Sequence, residues 1–289
     1  MNQQIVFVTG KGGVGKSTIA AAIAFKKANE GFKTLLVELG DQSFYREFFE
    51  LPGVNYQARS LRKNLDVVLW SGPECLKEYA MHLLKIESLY RLFFENKVSR
   101  TLINVAPGLP ELSVLGKITS GPRKHGPTEP YDFIIVDAYA TGHFISLLRA
   151  PRGMAKAIQY GPMGEQSRSI DQTIVDPNIC KFYYVTLPEE LPMKETQELH
   201  ETLKNEFKIE GQWILNRILE TNLKAKDLEK SNLGQKTKIN FETYLSSVLD
   251  RQEKVIQKLK DTSVSWQELP FLVETDPYKL VQTLSERLK

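Results

Sequence analysis

Gly10-Lys11-Gly12-Gly13-Val14-Gly15-Lys16-Ser17-Thr18 follows the spacing G-x-x-x-x-G-K-[ST] from Gly10 to Ser17 and carries one lysine more than that spacing needs. The apolar run Ile5 to Val8 precedes it and the alanine-rich segment Ile19 to Lys27 follows it. Strand, loop and helix are therefore expected in that order. Glycines let the backbone curl until successive N–H groups face one polyphosphate, and the N-terminus of the next helix adds partial positive charge. Gly12, Gly13, Val14 and Gly15 would supply backbone donors, Lys16 would reach the terminal phosphates, and Ser17 would offer its hydroxyl to Mg²⁺, with Thr18 closing the stretch. ATP and Mg²⁺ are the expected ligands. An accidental glycine-rich turn is the alternative, and the placement between a strand and a helix argues against it.

Further along, short β-rich runs alternate with helical segments: Ile5 to Val8, Lys33 to Glu38, Leu65 to Trp70, Phe133 to Asp137, Phe182 to Leu187, Gln212 to Asn216 and Val264 to Leu269. That alternation predicts an α/β fold, a mostly parallel, doubly wound sheet of the P-loop type with helices on both faces. Ligands of such sheets lie at the carboxyl ends of the strands, where the loop falls. Between about 73 and 116 the pattern becomes helical, with Leu76, Tyr79, Leu83, Leu84, Leu89, Tyr90, Leu92 and Phe93 among charged residues. It reads as a helical insertion packed beside the sheet, within one elaborated domain spanning 1–289. Ser120 to Pro130, with Arg123, Lys124 and His125, reads as a solvated connector, and Asn222 to Lys238 as a polar surface loop before an amphipathic helix from Phe241 to Leu259. Tyr278, Leu280, Val281, Leu284 and Leu288 line one face of a final helix expected to dock on its own domain.

A formal net charge of +3 is too small to point to nucleic acid or an anionic membrane. No apolar run approaches the length of a membrane span, so a soluble, cytoplasmic protein is expected, with membrane contact at most indirect. Cys75 and Cys180 stand far apart, which suits small apolar packing residues better than a metal site or a disulfide framework.

Beyond the loop, Ile134-Ile135-Val136-Asp137-Ala138-Tyr139-Ala140-Thr141-Gly142-His143 resembles the second switch, D-T-A-P-T-G-H, of the ArsA and guided-entry (tail-anchored protein targeting) ATPases. Asp137, Thr141, Gly142 and His143 keep the frame, while Ala138, Tyr139 and Ala140 depart from it. Ala106-Pro107-Gly108-Leu109-Pro110-Glu111-Leu112, with Leu115-Gly116-Lys117 after it, is similar to the family's P-G-x-x-E-L segment, and Thr186-Leu187-Pro188-Glu189 to its T-x-P-E turn. The resemblance implies that Asp137 serves the Mg²⁺ shell and that Asn216 reads the adenine edge, with Pro270, Phe271 and Leu272 covering the base. It also implies a dimer, homomeric or with a related ATPase. Lys11 matches the surplus lysine of the deviant loop, which in that family crosses the subunit interface to the partner's nucleotide.

The first switch departs from the family. Relatives place a water-orienting aspartate in S-T-D-P-A after the second strand, whereas this chain reads Val37-Glu38-Leu39-Gly40-Asp41-Gln42. Gly40 stands in register with that aspartate. Asp41, one position late, is assigned the catalytic role beside Lys11 and Lys16, with Glu38 as the other candidate. The reading that results is an ATP-binding, ATP-hydrolysing dimeric switch acting on an unidentified protein partner. Two alternatives stand beside it: a nucleotide-locked subunit that does not hydrolyse, and a positioning ATPase like ParA and MinD. Arsenite transport would need a cluster of soft thiolates, which two distant cysteines cannot form within one chain. Tail-anchored client delivery would need an apolar groove, to which Leu147 to Met154 and Met163 are candidate contributors.

Overall fold

A computed structural model of the protein describes residues 3–84, 108–220 and 235–289. Its strands form one eight-stranded sheet of order β3-β4-β2-β5-β1-β6-β7-β8. These strands are β1 (Gln4–Gly10), β2 (Thr34–Leu39), β3 (Arg59–Arg62), β4 (Leu65–Trp70), β5 (Phe133–Ala140), β6 (Cys180–Thr186), β7 (Gln212–Ile218) and β8 (Trp266–Pro270). All neighbours pair in parallel except β3, which runs antiparallel to β4 at the edge. The seven apolar runs of the sequence are the seven parallel strands. β3, with the polar sequence Arg59-Ser60-Leu61-Arg62, was not foreseen.

Helices cover both faces because alternate side chains of each strand point to opposite sides. Val6 and Val8 of β1, Leu36 of β2 and Ile135 of β5 face helix α1 (Lys16–Asn29), whose Ile19, Ala20, Ile23 and Ala24 are buried. Val281 and Leu284 of α10 (Pro277–Arg287) join that layer, so the last helix docks on its own sheet as expected. Ile5, Phe7, Val37 and Val136 face the other way. There they meet α3 (Gly72–Leu84), α4 (Leu109–Ile118), α6 (Thr141–Ala157), α7 (Pro162–Val175), α8 (Glu190–Phe207) and the end of α9 (Gln235–Lys260). Short helices α2 (Phe44–Phe48) and α5 (Ser120–Arg123) complete the described elements.

Helices α3 and α4 flank the expected insertion, and its Leu89, Tyr90, Leu92 and Phe93, like Ala106 and Pro107, lie outside the described residues. Of the polar stretch 222–238, residues 235–238 already belong to α9 rather than to a loop, and the remainder also lies outside. The connector after Ser120 is corrected too. Its first residues are helical, and Arg123 is part-buried, donating to Thr119 Oγ1, Gly116 O and Gln166 Oε1. It joins α4 to α7 because five guanidinium donors can satisfy several acceptors at once. Leu147 and Leu148, candidate groove residues, are core side chains instead. Arg152 in the same helix lies over the Phe207 ring at 4.2 Å and pairs with Asp171 at 2.8 Å. Cys75 and Cys180 are both buried.

Candidate active site

The loop emerges where β1 ends between β5 and β6, and α1 starts at Lys16 directly after Gly15. Gly15 has φ +92°, and a Cβ there would lie 2.5 Å from the Asn216 amide nitrogen, so both conformation and space require glycine. Asn216, at the end of β7, donates from Nδ2 to Val14 O at 2.9 Å. The expected base-reading residue is thus bonded to the phosphate loop, and the Val14 carbonyl fixes which end of the amide is nitrogen. Beside it, Phe271 N donates to Ile218 O at 2.7 Å, which ties the start of the expected base cover to β7. Pro270 is buried while the Phe271 ring is half exposed.

Lys16 donates to the carbonyl of Lys11 at 3.2 Å, a bond within the loop. Burial lowers its pKa, and the charge of Asp137 opposes that shift. Lys11 instead pairs with Glu195 on α8 at 2.6 Å. The two loop lysines therefore have different partners.

Asp137 and Glu38 are register partners across β5 and β2, while Val8 of β1 is the partner of Asp137 on the other side. Two carboxylates consequently lie side by side under the loop, both buried. Burial pushes Asp137 up to about 6, and the Glu38 charge adds to that, against the Ser17 hydroxyl, Lys16 and Tyr45. Tyr45 of α2, wholly buried, has its phenol 2.9 Å from Ser17 O and 3.2 Å from Asp137 Oδ2. The Ser17 hydroxyl from the first turn of α1 and the buried Asp137 carboxylate form a pair of oxygen donors of the kind that could hold Mg²⁺.

The two first-switch candidates separate. Glu38 accepts from Ser43 Oγ at 2.6 Å and from the backbone N–H of Phe44, so it caps α2 together with Ser43, whose Oγ also accepts from Arg46 N. Burial raises its pKa against those bonds. Asp41 is exposed on the turn between β2 and α2. Burial, and then the charge of Asp41, pushes the Tyr139 phenol up. Gly40 has φ +145°, a conformation that side-chain-bearing residues rarely adopt, so an aspartate in the relatives' register would strain this turn. In the second switch, Thr9 Oγ1 donates to Tyr139 O at 2.9 Å and the Tyr139 and His143 rings meet edge to face. Tyr45 and Glu195 are the site residues that sequence reasoning missed. Tyr45 left only the weak signal of a tyrosine in a polar turn, and Glu195 none. A cavity of about 960 Å³ between α8 and α9, lined by Met193, His200 and Trp213, contains none of the predicted site residues.

The family model described as anion-transporting ATPase covers residues 3–163 and 159–260. The chain belongs to the ArsA ATPase family. It is 30% identical over 241 residues to ATPase BagA of Mycobacterium tuberculosis, covering 79% of this chain and 69% of that one. The putative arsenical pump-driving ATPase 2 of Aquifex aeolicus is 27% identical over 300 residues, 90% and 98% of the two chains. An arsenical pump-driving ATPase of Escherichia coli is 29% identical over 223 residues, and the match spans 35% of its length. This ArsA-family chain is accordingly an ATPase, with the parallel P-loop sheet expected of one. Among the described residues no helix is long and apolar enough to cross a membrane.

Proposed function

We propose that this ArsA-family ATPase works as a dimeric switch: two subunits close around two molecules of ATP, and opening after hydrolysis passes the motion to a protein partner. The observation that carries the reading is the divergence of the two loop lysines. Lys16 is bonded within its own loop, whereas the Lys11 ammonium leaves the loop and pairs with Glu195 on α8. A loop ammonium not engaged with Lys16 or the loop backbone is available to a second subunit's nucleotide, as the family's surplus lysine is. Within each subunit Lys16 neutralises the terminal phosphates and Gly12 to Gly15 donate to them. Ser17 and Asp137 would hold Mg²⁺, which supplies charge neutralisation to the departing phosphate. Asn216 and the Pro270 to Phe271 segment bind the adenine, and Asp41 orients the attacking water.

A second reading, the nucleotide-locked subunit, draws on Gly40, whose backbone conformation departs from what an aspartate there would adopt. The names of several relatives refer to an arsenical pump, but the thiols here do not favour that cargo. Cys75 is pushed up to about 12 by burial and Cys180 is likewise raised, so neither offers a ready thiolate. Light scattering tests the dimer. The mass should double with Mg²⁺ and a slowly hydrolysed ATP analogue but not with ADP, and Lys11→Ala should reduce the doubling while sparing nucleotide binding. The same mass under all three conditions, ATP analogue, ADP and no nucleotide, would end the proposal.

A further inference from the structure

The partner that Lys11 has in its own subunit suggests how pairing is restrained. We propose that Glu195 is a positioning residue for Lys11, retaining its ammonium within the subunit until ATP draws it out, and so sets the ATP-dependent dimerisation threshold. The inference rests on the dimer reading above.

Lys11 Nζ and Glu195 Oε1 stand 2.6 Å apart across 184 positions of sequence, joining the loop after β1 to the first half of α8. Helix α8 gives the carboxylate a fixed base, because Pro192, Thr196, Leu199 and Leu203 of the same helix are buried. Met193 also packs its sulfur 3.7 Å from the Thr186 hydroxyl at the end of β6. Glu195 is therefore a stationary negative charge at the rim of the loop. Two side chains converge on residue 11: Lys16 through the Lys11 carbonyl, and Glu195 through the Lys11 ammonium.

Polyphosphate disturbs both contacts in one direction. Phosphate oxygens are stronger acceptors than a backbone carbonyl, so they draw Lys16 from Lys11 O. Their charge competes with Glu195 for the Lys11 ammonium and repels the carboxylate itself. Once Lys11 turns to a partner's nucleotide, Glu195 is left a bare anion near phosphate. Each subunit contributes one such pair, so two are broken for every dimer formed. With side chains 27% and 33% exposed, each pair is worth little alone, but the two act together.

Sedimentation equilibrium with Mg²⁺ and a slowly hydrolysed ATP analogue tests this on wild type, Glu195→Gln, Glu195→Ala, Lys11→Ala and Lys11→Ala/Glu195→Gln. Thermal unfolding confirms that each variant is folded. Both Glu195 variants should lower the dimer dissociation constant by about 2- to 30-fold, the range for two exposed ion pairs. In the Lys11→Ala background Glu195→Gln should leave the constant unchanged, which a general surface-charge or purely structural role would not predict. Wild-type pairing with unchanged or weaker pairing in the Glu195 variants would overturn the inference and leave the dimer intact. An equal gain in the Lys11→Ala background would overturn it as well. Absence of pairing in wild type would remove the dimer reading and this inference together.

Discussion

At Asp137 the register of the sheet, the burial of the strand end and the start of α1 act on one carboxylate. Burial chiefly lifts its folded pKa to about 6, above the 3.8 of a solvent-exposed aspartate. A carboxylate raised in the folded state contributes stability below its unfolded pKa and loses it as pH rises through the folded one. In metal- and nucleotide-free protein, charging Asp137 therefore costs roughly 3 kcal/mol by pH 8. Wild type should gain stability chiefly as pH falls from about 6 toward 4, and Asp137→Asn should lack that component, being about 1–3 kcal/mol more stable than wild type at pH 8. Urea unfolding at pH 5 and pH 8 measures it. An identical pH slope in the mutant would show that Asp137 is not the group that charges. The same carboxylate explains Tyr45, whose phenol is lifted by burial and by Asp137 and stays a hydrogen-bond donor at the site.

Elements decide which first-switch residue is available. Glu38, one residue before the end of β2, spends its oxygens on the N-terminus of α2, so Glu38→Gln should loosen the five-residue helix and displace Tyr45. Asp41 on the preceding turn makes no such contribution to the helix cap. In single-turnover hydrolysis with saturating ATP and Mg²⁺, Asp41→Asn should lower the rate with little change in ATP affinity, as expected of an interaction made mainly in the transition state. Full activity in Asp41→Asn would exclude it, and loss confined to Glu38→Gln would move the role there. The β1-loop-α1 unit was legible because its signals are local: an apolar run, glycines at fixed offsets, then alanine-rich helix. The Tyr45 contact with Asp137 and the Lys117 pairs with Glu78 and Glu129 join residues far apart in sequence that only the tertiary fold brings together. The Glu38 cap is local but lies in a turn whose sequence carries no capping signal for it. Edge strand β3 escaped for a different reason. Four largely polar residues and a turn at Asn64, φ +61°, carry no apolar alternation to read.

For the whole molecule, sheet order brings the ends of β1, β2, β5 and β7 to one edge, so Lys16, Glu38, Asp137 and Asn216 meet from distant parts of the chain. Because Asn216 Nδ2 donates to Val14 O, its Oδ1 remains an acceptor suited to the adenine amino group and opposed to the guanine carbonyl. Competition binding should favour ATP over GTP by about tenfold or more, and equal affinities would take the base-reading role from Asn216. The central claim is that the Gly10 to Thr18 loop, with Lys16 as its phosphate-facing charge, is where MgATP binds. Calorimetric titration of MgATP into wild type and Lys16→Ala tests it most directly. Saturable binding in wild type and none detectable in the mutant is the result predicted, and equal affinity in the two would contradict it.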